Sequence, residues 1–243
     1  EIYTLSLHDA LPIFGAVATK KTMVGKKDDK VTDHNHQVHL PRSIKLNDAF
    51  LLPEASAPLW EIEPVADDTA SFPPAFWFVG AHGFAGGSTL AAMMAPAGDA
   101  GCMWPVHDAY PLCVIVARST MAGLERAHHV VLQGIREIEP VTVLGIAVVA
   151  DTPGKNPAPI AHKLEVLESL VPLWHIKYFP ALRITPMADL AAWGPGDDID
   201  TTRRGKKTPL TERPPAHIAQ VGHDIFHAAA HVVDTQKHKQ EKE

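Results

Sequence analysis

An α/β protein built on a mainly parallel sheet is the fold class this sequence predicts, and three observations predict it. Short runs that are apolar on both faces, AFWFVG, PLCVIVARS and VTVLGIAVVA, read as strands covered by helices on each side. The segments between them carry apolar residues at helical spacing. Strand and helix alternate four times, which calls for right-handed crossovers between parallel neighbours.

The elements follow in order. Ala75 to Gly80, bounded by prolines and glycine, is the first buried strand. AHGFAGGSTLAAMMA is a glycine-rich turn that enters a helix at Ser88 and Thr89 and continues through Leu90, Ala91, Ala92, Met93 and Met94. Leu112 to Ala117 is the second strand, and Met121, Leu124, Ala127, Val131, Leu132, Ile135 and Ile138 mark the helix after it. Val141 to Ala150 is the third strand. A proline-rich loop then leads to a helix with Ile160, Leu164, Leu167 and Leu170 on its core face, and Leu173 to Phe179 is the fourth strand.

The flanks read differently. EIYTLSLHDALPI, residues 1–13, back-translates to a common short-read sequencing adapter, so Glu1 to Ile13 is set aside from fold reasoning. Residues 14–74 are charged, then rich in Pro, Ala and Asp, without a sustained period, and are expected to be a disordered lead. The α/β domain is expected over 75–193. Residues 194–243 are expected to be a polar linker and a His-rich C-terminal helix with Ile218, Val221, Ile225, Ala229 and Val232 on one face.

Composition excludes several classes. A net charge of −6 disfavours a general nucleic-acid binder, which carries a basic surplus. Two cysteines, Cys102 and Cys113, in no CxxC pattern fit a reduced, cytoplasmic protein and not a disulfide framework. No apolar run reaches the roughly 18 residues a membrane span needs.

The stretch FVGAHGFAGGSTLA has the order of a phosphate-binding loop: strand, glycines, a Ser-Thr pair and a helix. In such a loop, backbone N–H groups and the helix start cradle phosphate, a lysine neutralises it, and a Ser or Thr hydroxyl coordinates magnesium. Here the lysine is missing. HGFAGGST resembles a degraded version of the KGGVGKST loop of the ParA/MinD family of P-loop ATPases, with Gly87 at the lysine position and His82 where partition ATPases carry a signature lysine. CVIVARSTMAGLERAHHVV, VTVLGIAVVAD and LWHIKYFPALRI are similar to later elements of that family. The combination GAHGxAGxST, VARS…GL and VVADTPGKxPxP is similar to an uncharacterised bacterial family that keeps the loop without the lysine. The resemblance spans Phe76 to about Pro186 and implies a P-loop NTPase-like (ParA/MinD-like) topology of reduced size. It implies nucleotide contacts from Gly80, His82, Gly83, Gly86, Gly87, Ser88, Thr89 and Asp151, with ATP or another nucleotide and magnesium as the cofactors to test.

The departures bear on catalysis. Only PAGDAGCMWPVHDAY separates the loop helix from the second strand, and its carboxylates, Asp99 and Asp108, follow no strand of the expected kind. A lost charge-assisted contact is worth about 1.5–3 kcal/mol, and phosphoryl transfer depends on that electrostatic stabilisation. ATP turnover is therefore expected to be absent or very slow, with no catalytic residue assigned. His82 offers a pH-dependent positive charge in the lysine's place, or is a polar turn residue.

Other candidates have plainer readings. His223, His227 and His231 lie four residues apart along one helix face. A pair at that spacing can share zinc, but without an HExxH motif a hydrophilic face is expected and zinc is not. His34, His36 and His39 fall in the lead, where ordering a metal loop is unfavourable. Arg118 and Ser119, and Asp151, Thr152 and Lys155, follow strands at the sheet edge where ligands gather. The run Arg203 to Lys207 reads as a solvated linker. The function implied is a non-catalytic or weakly nucleotide-binding ParA/MinD-like accessory, in DNA partition, conjugative transfer or secretion, with an unidentified protein partner. The alternative is an interaction scaffold whose vestigial loop binds no nucleotide.

Overall fold

The computed structural model describes residues 58–60, 74–105, 112–199 and 208–240. The adapter-like start, most of the lead, Asp108, His34, His36, His39 and the basic run Arg203 to Lys207 lie outside the described residues.

Strands β1 (Leu59–Trp60) and β4 (Trp104–Pro105) form a two-stranded parallel pair. The principal sheet joins β2 (Phe76–Gly80), β3 (Ala97–Asp99), β5 (Leu112–Arg118), β6 (Thr142–Val149) and β7 (Leu173–Ile176) in the order β3-β2-β5-β6-β7, every pair parallel. Helices α1 (Gly87–Met93), α2 (Met121–Arg136), α3 (Ala158–Glu168) and α4 (Ala216–Gln240) surround it.

The central strands are buried along nearly their whole length, as two-faced apolar runs require. Alternate residues feed two cores. Trp77, Val79, Ile115, Ile146 and Val148 pack with Leu124, Ala127 and Val131 of α2 and Leu164 and Leu167 of α3. Phe76, Phe78, Val114, Leu144 and Ala147 pack with Leu90 and Met93 of α1 and with Trp193, Ile218, Val221 and Ile225. Chain order moves outward from β2 in one direction to β3 and in the other to β5, so the sheet reverses its progression between β2 and β5. Doubly wound sheets bind ligands at that reversal, beyond the carboxyl ends of the strands.

Four expectations change. The segment Ala97–Asp99, too small and polar to announce itself as a strand, forms the edge strand β3 beside β2, giving five strands where four were expected. Leu59 and Trp60, inside the lead expected to lack order, pair with β4, fastened by Trp104 N–H donating to the Pro58 carbonyl at 2.9 Å. Helix α4 is no appendage to a 75–193 domain. Of its expected face, Ile218, Val221, Ile225 and Ala229 are buried in the second core and Val232 packs half-buried against it, and the helix runs 25 residues. The last strand is shorter than Leu173 to Phe179, ending at Ile176 before a 3-10 turn at Pro180–Arg183.

Two histidines tie this framework to pH. Burial lowers the pKa of His128, reinforced by Lys163, whose Nζ donates to its Nδ1 at 3.1 Å. Burial also lowers that of His217, which donates from Nε2 to the His175 carbonyl at 2.6 Å. The folded state thus binds these protons less readily than the unfolded chain, whose histidines titrate near 6.5. Their contribution is complete above that value and is lost as pH falls below it. The urea midpoint should accordingly drop between pH 7.5 and 5.5, and by less in His217→Gln; a midpoint that rises on acidification would contradict the assignment.

Candidate functional site

Strand β2 ends at Gly80, and the chain must leave the sheet, turn and enter α1 within a few residues. Gly86 makes the turn at φ 106°, a left-handed conformation open to glycine, and serves as the helix N-cap. Phe84 also has a positive φ, 64°, without being glycine, and is 97% exposed. Such a conformation is unfavourable for a residue with a Cβ.

Side chains from neighbouring elements hold the loop's carbonyls. Arg126 Nε donates to Ala81 O at 3.3 Å, and Arg118 Nε donates to Phe84 O at 3.4 Å. His82 donates from Nδ1 to Gly83 O at 2.8 Å and accepts the Arg118 backbone N–H at Nε2, at 3.3 Å. The two partners select the tautomer protonated at Nδ1 and leave neither ring nitrogen to reach a ligand. His82 therefore clips the loop to the end of β5. The amides are the opposite case. Ala85 N–H donates to His82 O, but those of Gly83, Phe84, Gly86, Gly87, Ser88 and Thr89 find no acceptor among the described residues.

These amides border a cavity of about 440 Å³ at the carboxyl edge of β2, β3 and β5, within the range that ligand pockets span. Of the residues expected at the site, Gly80, His82, Gly83, Gly86, Gly87, Ser88 and Thr89 line it. Asp151 does not, but stands beside it, 3.8 Å from the Arg118 guanidinium. Both groups are well solvated, so the pair contributes little, and Arg118 keeps a net pull on anions. Ser119 Oγ accepts the Asp151 N–H at 3.0 Å, joining the two strand-end clusters. Thr152 and Lys155 are exposed and do not line the cavity.

Three lining residues enter with β3 and the turn after it: Asp99, Gly101 and Cys102. Asp99 closes β3, opposite Phe78 in register, and its Oδ1 accepts the Gly101 N–H at 3.0 Å. The strand it closes is a three-residue edge strand, Ala-Gly-Asp, and not the apolar strand that usually carries a magnesium-site aspartate, and a Cβ at Gly87 would lie 3.6 Å from that same oxygen. A signal was available: a carboxylate a few residues past the loop helix of a βαβ unit belongs at this edge. The Cys102 thiol is pushed up by burial and by the Asp99 carboxylate, with Arg126 opposing, and burial pushes up Cys113 as well. Neither thiol is activated as a nucleophile.

The cavity thus combines unpaired amides, one arginine, one carboxylate and two hydroxyl-bearing side chains. Among the described residues no group of three or more His, Cys, Asp or Glu side chains forms a metal cage, and no helix is long and apolar enough to cross a membrane. No protein-family model, curated protein or solved structure matches the chain.

Proposed function

We propose that the crevice binds the phosphate groups of a nucleotide weakly and without efficient hydrolysis, so that the protein acts as a ParA/MinD-like accessory and not as an ATPase. The observation that carries this reading is that the amides of Gly83, Phe84 and Gly86 to Thr89 have no acceptor among the described residues and stand beside Arg118, at the reversal point of a parallel sheet. Successive free N–H groups in such a turn form an anion-binding concavity. Ser88, Thr89 and Asp99 are hard oxygen donors, the type magnesium takes when it accompanies phosphate. Glycine at position 87 removes the cation that would balance the transferred charge, so binding outlasts turnover. The sheet is compatible with a P-loop-like fold, and the ParA/MinD assignment rests on the loop motif and the segments around it. A role in DNA partition, conjugative transfer or secretion comes from that resemblance, as does the expectation of a protein partner.

Calorimetric titration of ATP, GTP and pyrophosphate, with and without magnesium, tests the reading. Saturable binding is expected, weaker than in a lysine-bearing loop by about 10- to 150-fold, the equivalent of the missing contact. Gly86→Val should abolish it, because no β-branched residue holds φ 106°. Gly87→Lys should tighten it at least tenfold, since the first carbon added there meets only ordinary contacts. Absence of heat up to millimolar nucleotide from the folded protein would sink the proposal in favour of a scaffold with a vestigial loop.

A further inference from the structure

Helix α4 carries three histidines at four-residue spacing, but only two of them meet. The Nε2 atoms of His223 and His227 are 3.0 Å apart and the ring centroids 4.2 Å apart, whereas His231 turns its Nδ1 to Thr235 Oγ1 at 3.2 Å. At that separation the two Nε2 atoms share one proton between a donor and an acceptor. The same separation suits two ligands of one metal ion. With metal–nitrogen bonds of about 2.05 Å, cis ligands lie about 2.9 Å apart at a right angle and about 3.3 Å apart at the tetrahedral angle. A small ring rotation covers the difference.

We propose that His223 and His227 chelate a divalent transition metal ion, zinc, copper or nickel, through their Nε2 atoms. The metal takes the place of the bridging hydrogen, and the ring that donated it changes tautomer, its proton passing through solvent from Nε2 to Nδ1, so that both rings bind as neutral imidazoles. Imidazole suits these ions, while hard oxygen ligands suit magnesium and calcium, so the site is chemically separate from the crevice. The surroundings favour it on two further counts. Asp224 Oδ1 faces His223 Nδ1 at 3.5 Å and accepts Gln220 Nε2–H at 2.8 Å, so a fixed carboxylate stands behind one ligand as it does behind many metal-bound imidazoles. The backbone between the two ligands is anchored by Ile225 and Phe226 in the core, which lowers the entropy lost on binding. His227 is exposed and His223 half-buried, which leaves the remaining coordination positions to water. A site with two protein ligands is open and exchangeable, unlike a closed four-ligand structural centre.

Titration of zinc, nickel and copper chlorides into the full chain, read by calorimetry and by the thermal shift, tests this. Other histidines of the chain also bind metal, so the quantity to read is the difference between variants. His223→Ala and His227→Ala should each remove one bound equivalent and its thermal stabilisation, His231→Ala should leave both in place, and Asp224→Asn should weaken the site roughly tenfold. Equal losses in all three histidine variants, or none in any, would overturn the proposal. Exposed His227 can be replaced without disturbing the fold, so a failed His223 variant leaves the test intact.

Discussion

A chain cut after Pro215 should not fold. Helix α4 supplies Ile218, Ala219, Val221, Ile225, Phe226 and Ala229 to the core that covers one face of the sheet. Without them Phe76, Phe78, Leu144 and Trp193 would face water along that side. A single buried Ile or Phe truncation costs about 2–5 kcal/mol, and total stability is about 5–15 kcal/mol. Losing the whole face therefore exceeds what the remainder can supply. The truncated protein should show no cooperative urea transition, and Ile225→Ala in the full chain should lower stability by about 2–4 kcal/mol. A truncated form melting cooperatively near the full chain's temperature would restore the 75–193 boundary.

The second large effect is expected at Gly145, in the middle of β6. A Cβ there would run into the Pro172 carbonyl oxygen and lie 2.6 Å from Cζ3 of Trp174. The indole is half-buried and can shift. The carbonyl cannot, because it accepts the Ile146 N–H at 2.9 Å where the chain enters β7. Gly145→Ala must break that bond or push β7 away, at a cost of about 3 kcal/mol from overpacking and an unmet hydrogen bond. Urea midpoints compared with Gly196→Ala, where nothing lies within 4 Å of the added carbon, would measure it. Equal midpoints would mean that the β6–β7 junction yields more readily than its packing implies.

What was legible in the sequence follows from how each element is buried. β2, β5 and β6 are hydrophobic on both faces and so stand out against any polar background. β3 was not legible: Ala, Gly and Asp at a sheet edge need little apolar surface, and its neighbour β2 supplies the pairing. With β3 hidden, Asp99 and Cys102 were not assigned to the cavity, although the glycine pattern brought Gly80 and His82 to Thr89 there and strand-end position pointed to Arg118. The apolar face of α4 could be read at helical spacing, but no local signal says which surface such a face covers. For His82 the sequence left two readings open, a charge or a polar turn residue, because residue type gives only a capacity for charge, while the carbonyl and amide around the ring favour the second.

Phe84 makes the loop's shape a matter of populations. A glycine would occupy φ 64° freely; a phenylalanine with its ring in water disfavours that geometry by roughly 1 kcal/mol, about fivefold. The present shape persists because Arg126, His82 and Arg118 hold the carbonyls of Ala81, Gly83 and Phe84. The loop is a sprung element latched by side chains, and Arg118 is both latch and cavity wall. The shape of the turn and the charge on the crevice wall therefore depend on one side chain.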